Sequence, residues 1–240
     1  MKILVTGSAG HLGEALMRHL QTTPHEAVGI DVLASPFTAH TGSIADRAFV
    51  AKAMRGVDAV LHTATLHKPH VATHSKQDFI DTNLTGTLNL LEEAAAAKVG
   101  AFVFTSTTSS FGDAMAPAAG LPAVWVDEAL VPMPKNIYGV TKLAAEELCA
   151  LFRRERGMPC IVLRTSRFFP ERDDQKDVRE RFAPANLQVN ELLNRRVDVA
   201  DVVSAQLCAI ERASAIGFAR YIISATSPFT RDELQALRGD

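Results

Sequence analysis

Short apolar runs alternate along the chain with longer stretches in which apolar positions recur every three or four residues. The short runs are KILV (2–5), AVGI (27–30), DAVLHTA (58–64), AFVFTS (101–106), CIVLRTS (160–166) and RYIIS (220–224). Helical spacing occupies LGEALMRHLQ (12–21), ADRAFVAKAM (45–54), DFIDTNLTGTLNLLEEAAAAK (78–98) and IYGVTKLAAEELCALFRRE (137–155). Such alternation predicts parallel strands joined by crossover helices, an α/β fold. Asp46 is placed to cap the second helix, and EEAAAAK closes the third as a strong helix end. No repeat is visible. The stretch from Gly112 to Asn136, proline-rich and without periodicity, is expected to run over the surface near the strand ends, where function concentrates.

The bulk numbers narrow the picture without changing it. A chain of 240 residues, 47% hydrophobic and 22% charged, can bury a full core as one domain with at most a small appendage. With 25 basic and 27 acidic residues spread along the sequence, no electrostatic footprint for nucleic acid or an acidic membrane is present. Neither partner is expected. Cys149, Cys160 and Cys208 are widely spaced, which suits buried thiols in a reducing compartment. No apolar run approaches the roughly 20 residues of a membrane helix, and Ile3–Val5 is too short for a signal core, so a cytoplasmic location is expected.

Within VTGSAGHLG, Gly7, Gly10 and Gly13 recur every three residues between the first strand and the first helix. Glycine lets the backbone approach a pyrophosphate, and the N–H groups of a helix start face an anion. The spacing differs from the commoner G-x-G-x-x-G. A plain turn is the alternative. Asp31 ends the second strand eighteen residues after Gly13, close to where an acid bonds an adenosine ribose. Val32 to Pro36 contain no cation to accept a 2′-phosphate, so NAD is favoured over NADP.

Tyr138 and Lys142 stand four apart and share one helix face. A phenol ordinarily ionises near about pH 10, but an ammonium and a nicotinamide cation beside it would favour the phenolate. Alone, this pair is ordinary surface decoration. It gains weight from FTSTTSSFG, which places hydroxyls at the C-terminal end of a central strand, where open α/β sheets bind ligands.

With these motifs in order, the sequence resembles the extended short-chain dehydrogenase/reductase family, the NAD-dependent epimerase/dehydratase group. TGSAGHLG, DAVLHTAT, NLTGTLNLLEEA, FTSTTSSFG, YGVTK and VDVADVVSA carry the resemblance over roughly residues 1 to 205. It implies that Gly7, Gly10, His11, Leu12 and Gly13 hold the cofactor pyrophosphate and Asp31 the adenosine ribose. Thr107 falls on the catalytic Ser/Thr position, and Tyr138 and Lys142 on the catalytic Tyr and Lys. Asn83 matches the Asn of the long fourth helix, and Ala64 lies in the loop under the cofactor.

Three departures stand out. Gly42-Ser43 replaces the family's GD element, so an adenine contact rests on the Ser43 hydroxyl and the Ile44 backbone. Phe111 replaces the usual Tyr before Gly112. LRTSRFFPE lacks the Asn that nucleotide-sugar enzymes use, and only 26 positions separate Pro170 from Arg196, which implies a small substrate part. The resemblance implies a Rossmann-type doubly wound parallel sheet, with an NAD-binding Rossmann domain expected over residues 1–165 and a small substrate-binding part over residues 166–240, interleaved with it; a part shortened relative to the family is one reading of it.

Thr107, Ser109, Arg167 and Arg196 are the expected substrate contacts, Arg195 standing as an alternative to Arg196, since guanidinium forks suit planar anions. His67, His70 and His74 have zinc-like intervals, but Pro69 interrupts any helix there, so a loop beside the nicotinamide is favoured and no metal is expected. His62 is read as a satisfied core histidine. PERDDQKDVRER is a charged surface segment or a flap that closes over substrate.

The expected activity is hydride transfer between NAD and a sugar-like secondary alcohol, in an enzyme that a homodimer would suit. Two alternatives stay open: a nucleotide-sugar epimerase or dehydratase, and a non-catalytic NAD-binding sensor or scaffold.

Overall fold

In a computed structural model, residues 1–169 and 196–236 are described. They build a seven-stranded parallel sheet in the order β3-β2-β1-β4-β5-β6-β9. The strands are β1 (Lys2–Thr6), β2 (Glu26–Asp31), β3 (His40–Thr41), β4 (Ala59–His62), β5 (Ala101–Thr107), β6 (Cys160–Thr165) and β9 (Phe218–Ile223). A separate parallel pair, β7 (Arg167–Phe169) and β8 (Arg196–Asp198), stands outside this sheet.

The apolar runs are continuous because both faces of the sheet are covered. Leu4, Val60, Phe102, Phe104, Cys160 and Val162 enter one core, while Ile3, Val5, Ala59, Leu61, Val103, Ile161 and Leu163 enter the other. Helices α2 (Arg47–Ala53), α4 (Gly86–Ala96) and α5 (Ile137–Arg156) cover the first face, and α1 (His11–Leu20) and α6 (Val199–Ile216) the second. Asp46 caps α2 as expected, its carboxylate accepting the Ala48 and Phe49 amides at 2.9 and 3.2 Å.

The third expected helix is built in three pieces: α3 (Lys76–Phe79), a π segment (Ile80–Thr85) and α4. Helix α6 goes beyond the four helices legible from spacing. Apolar and small residues surround much of it, which blurs an amphipathic stripe, and Asp198 starts it by accepting the Ala200 amide at 2.7 Å. It carries a correction as well: Cys208 is exposed, whereas Cys149 and Cys160 are buried as expected.

Strand β9 and helix α6 come from the C-terminal third of the chain, yet they complete the main sheet and one of its layers. The proline-rich stretch after Gly112 crosses the free edge of β9, where the Glu128 carboxylate accepts the Ile222 amide at 2.9 Å. The charged segment from Pro170 to Arg195, with the flap reading and the count of positions that rests on it, lies outside the described residues.

The strand order reverses between β1 and β4, and the loops leaving their C-terminal ends part there. In doubly wound sheets this crevice is where ligands bind.

Candidate active site

The three glycines at the crevice do three different jobs. Gly7 adopts φ +73°, and a Cβ there would meet Ala64 N at 2.8 Å. A Cβ on Gly13 would fall 1.9 Å from the Gly7 carbonyl oxygen, so helix α1 packs against the strand end more closely than any side chain allows. Gly10 is different. It has an ordinary φ of −78°, and an added Cβ would find only Gly7 O, at 3.2 Å. Internal packing thus requires glycine at 7 and 13, whereas at position 10 a methyl group needs the Gly7 carbonyl to give by only a few tenths of an ångström. Gly10 caps α1 without a side-chain bond, leaving first-turn amides such as those of Leu12 and Gly13 to an anion.

Asp31 stands beside this loop. Its carboxylate accepts the Ala9 amide at 3.0 Å and the Leu33 amide at 2.9 Å, which fixes it at the tip of β2. Farther along the same edge, the Ser43 hydroxyl accepts the Ala45 amide at 3.1 Å, and the Ile44 side chain is buried against Gly86. The Ala64 amide donates to Thr6 Oγ1 at 3.1 Å and so lies directly over Gly7.

A second group assembles where β5 ends. Thr107 closes the strand and accepts the Ser109 amide at 3.1 Å, which turns the chain into the 3₁₀ turn Thr108–Phe111. Asn136 caps α5 by accepting the Gly139 amide at 3.1 Å, and Tyr138 and Lys142 follow on its buried face. Tyr138 faces Thr107, whose hydroxyl acts to lower the phenol's pKa. Lys142 lies one turn on, its Nζ 4.1 Å from the centre of the Phe104 ring.

Burial dominates the electrostatics of this pair. The Lys142 ammonium alone does not draw the phenol toward phenolate: burial pushes Tyr138 up to about 12, the Thr107 hydroxyl working the other way. Burial also brings Lys142 down to about 7, against the opposing pull of Glu146 and Cys149. In both groups burial outweighs the neighbouring side chains that favour the charged form.

Asn83 sits in the π segment, almost fully buried. Its Oδ1 accepts the Leu66 amide at 2.7 Å and the Thr65 hydroxyl at 3.0 Å, and its Nδ2 donates to Leu66 O at 2.9 Å and Thr141 Oγ1 at 3.1 Å. One side chain thus ties the loop after β4 to the helix carrying Tyr138. His62 is the satisfied core histidine its position predicts, its ring nitrogens 2.8 Å from Thr6 Oγ1 and 2.9 Å from Thr87 Oγ1. Burial, and then the Lys142 charge, keep its pKa well below the usual value.

Several contributors escape a reading of the sequence: Thr6, Thr87, Thr141, Ser106 and Glu146 all bind residues that spacing cannot associate with them. Arg167 and Arg196, 29 positions apart, become register partners in β7 and β8. Phe168, next to Arg167, packs edge-on against His11 at 5.9 Å, so this small pair lies by the start of α1. His67, His70 and His74 pack ring to ring at 4.4 and 5.0 Å. His70 Nδ1 accepts the His67 amide at 3.1 Å, and among the described residues no cluster of His, Cys, Asp or Glu is arranged to hold a metal ion. No described helix is long and apolar enough to cross a membrane.

A parallel seven-stranded sheet with helices on both faces and its order reversing at β1 and β4 defines a Rossmann-like α/β architecture. The NAD dependent epimerase/dehydratase family matches residues 3–223, and the chain belongs to it. A 2-alkyl-3-oxoalkanoate reductase of Stenotrophomonas maltophilia is 30% identical over 251 residues, spanning 98% of this chain and 73% of that protein. A UDP-glucose 4-epimerase of Streptomyces lividans is 32% identical over 158 residues, 61% of this chain and 46% of that protein. Among solved structures, a short-chain dehydrogenase/reductase superfamily protein from Agrobacterium tumefaciens with bound NAD superposes with a TM-score of 0.78 at 26% identity, covering 99% of this chain and 81% of its own. The chain spans about half the length of the epimerases among its curated relatives. These relatives are enzymes, and NAD is the cofactor of the family.

Proposed function

We propose that this chain moves hydride between NAD and a sugar-like secondary alcohol, as a dehydrogenase or as an epimerase that re-reduces its own intermediate. The observation that carries the reading is the buried placement of Tyr138 and Lys142 one helical turn apart on α5, Tyr138 facing Thr107 where β5 ends.

NAD, when bound, supplies a hydride acceptor at nicotinamide C4. The protein's own part is placement and proton handling. Thr107 holds the substrate hydroxyl and Tyr138 takes its proton. Lys142, as an ammonium, holds the nicotinamide ribose and stabilises the phenolate. A cationic ring beside Tyr138 acts against the burial that holds the phenol near 12. Gly7, Gly10, His11, Leu12 and Gly13 cradle the pyrophosphate, Asp31 accepts from the adenosine ribose, and Ser43 with the Ile44 backbone borders the adenine. Ala64 floors the cofactor, and Asn83 keeps that loop against α5.

Ser109, Arg167 and Arg196 are the substrate contacts in this reading. A sugar derivative is supported by the likeness to UDP-glucose 4-epimerases, and an oxidoreductase outcome by the 3-oxoalkanoate reductase. The three free thiols suit a reducing, cytoplasmic setting. A panel of sugars, uronic acids and nucleotide sugars, followed by NADH absorbance, tests the activity. Tyr138→Phe should keep NAD affinity and lower turnover by about 10²- to 10⁴-fold, the range of a general acid–base group. Full turnover in that variant would refute the mechanism, and NAD binding without turnover of any candidate would favour a sensor. Competition by free UDP or dTDP against the substrate would point to a nucleotide pocket.

A further inference from the structure

Beneath the Tyr138-Lys142 pair, helix α5 carries a third residue on the same buried face. Glu146 follows Lys142 by one turn, and no part of it reaches solvent. Three strands converge on its carboxylate. Ser106 Oγ of β5 donates at 2.5 Å, and Arg164 of β6 donates through Nε at 3.1 Å and Nη2 at 2.7 Å. Arg220 of β9 donates through Nε at 3.1 Å. Ser106 immediately precedes Thr107 and stands opposite Arg164 in the strand register.

Stability does not explain this arrangement. A buried ion pair of this kind often contributes no more than an apolar replacement of the same volume, because desolvating both charges offsets their attraction. What the carboxylate does provide is placement. It binds the helix that carries Tyr138 and Lys142 to the strand that ends in Thr107, and it is the negative charge acting on Lys142 from the next turn.

We propose that Glu146 is a positioning residue of the reaction centre, clamping α5 to β5, β6 and β9 and supplying the counter-charge for Lys142. The proposal rests on the assignment of Lys142 to the nicotinamide ribose. The groups facing Glu146 are Lys142 and Cys149 from its own helix, Ser106 from β5, Arg164 from β6 and Arg220 from β9, which is itself shared with Glu147. Lys142 faces His62 of β4 and the Phe104 ring of β5 as well.

The test is NAD affinity measured by calorimetry between pH 5.5 and 9. In the wild type, affinity should weaken as the free protein's Lys142 loses its proton. Glu146→Gln keeps the shape and removes the charge, and should move that inflection down by about one pH unit, the scale of a neighbouring opposite charge. Glu146→Asp should bring it back toward the wild-type position. Arg220→Gln removes a cation from the other side of the carboxylate, and should move the inflection upward. A purely structural role would weaken binding at every pH without shifting the inflection, and would give the two variants no reason to differ in sign. An unmoved inflection in Glu146→Gln, with Lys142→Met giving a flat profile, overturns the proposal and leaves the reaction centre intact. A wild-type profile in Lys142→Met overturns the reaction-centre reading instead. Should circular dichroism show Glu146→Gln unfolded, Arg220→Gln decides: no upward shift overturns the proposal.

Discussion

Replacing Gly10 and Gly13 separately by alanine should divide cofactor binding from folding, although the two glycines are only one helical turn apart. At Gly13, in the first turn of α1, alanine has the better helix propensity by about 1 kcal/mol. Its Cβ, however, falls 1.9 Å from Gly7 O and 2.6 Å from Gly7 C, both backbone atoms that cannot rotate away. Helix α1 must retreat from β1 by more than an ångström, loosening Leu12, Leu16, Met17 and Leu20 in the core beneath it. Overpacking of this kind costs about 1 to 3 kcal/mol beyond what propensity returns, so a net loss of about 2 kcal/mol is expected. In a chain of this size that lowers Tm by about 4 to 8 °C.

At Gly10 the backbone is extended, at φ −78° and ψ 169°, and the nearest atom to an added Cβ is 3.2 Å away. The modest loss of a glycine N-cap is offset by the restricted unfolded chain, so stability should change by less than about 1 kcal/mol. Binding should change instead, because the methyl group occupies the approach of the pyrophosphate. The assay is a thermal melt with and without NAD. At about 100 times its Kd, NAD should raise the wild-type Tm by about 5 to 10 °C, from a linkage free energy of about 2.7 kcal/mol. Gly10→Ala should melt like the wild type without NAD and show little of that rise. If it melts as low as Gly13→Ala, the separation of roles is wrong. If NAD still protects it fully, the pyrophosphate does not pass over position 10.

Three shorter predictions follow from other residues. NAD should bind more tightly than NADP because the Asp31 carboxylate, held by two amides, repels a 2′-phosphate; Asp31→Ala should narrow the gap, and equal calorimetric affinities in the wild type would rule out its ribose role. Asp46→Ala removes a cap that accepts two amides and should cost about 1 kcal/mol in urea unfolding, whereas a neutral result would mean that α2 is held by its packing alone. Lys142 has its pKa lowered by burial to about 7 in the fold, so the folded protein binds fewer protons than the unfolded chain above that pH and stability rises with pH. Between pH 7 and 9 the wild type should gain about 2 kcal/mol relative to Lys142→Met, a comparison in which the opposing contributions of Cys149 and Tyr138 are shared; parallel curves would show Lys142 to be solvated.

What the sequence disclosed and what it hid divide along a physical line. The glycine cradle, Asp31 at a strand tip and the Tyr138-Lys142 spacing were legible because each depends on one element or one turn of chain. The sheet was legible for a similar reason: strands buried on both faces leave unbroken apolar runs. Thr107 was reached only through its resemblance to a family position, since hydroxyls are abundant in that stretch and spacing does not choose among them. The π segment holding Asn83 has no compositional sign, because widening one helical turn changes bonding and not residue type.

Polar partners drawn from distant strands were invisible. Glu146 meets Ser106 across 40 positions and Arg220 across 74, and His62 meets Thr6 across 56. In the sequence Glu146 is one of three acidic residues within the α5 span, read there as part of an amphipathic pattern with no separate role. Its burial is what distinguishes it, and burial is decided by the register of β5, β6 and β9 beneath the helix. The same register sets how Thr107 meets Tyr138. A residue that ties these strands to α5 can therefore bear on the chemistry without touching a substrate, and the charge-removing change at Glu146 should both lower stability, because it leaves Arg164 buried without its partner, and move the Lys142 inflection.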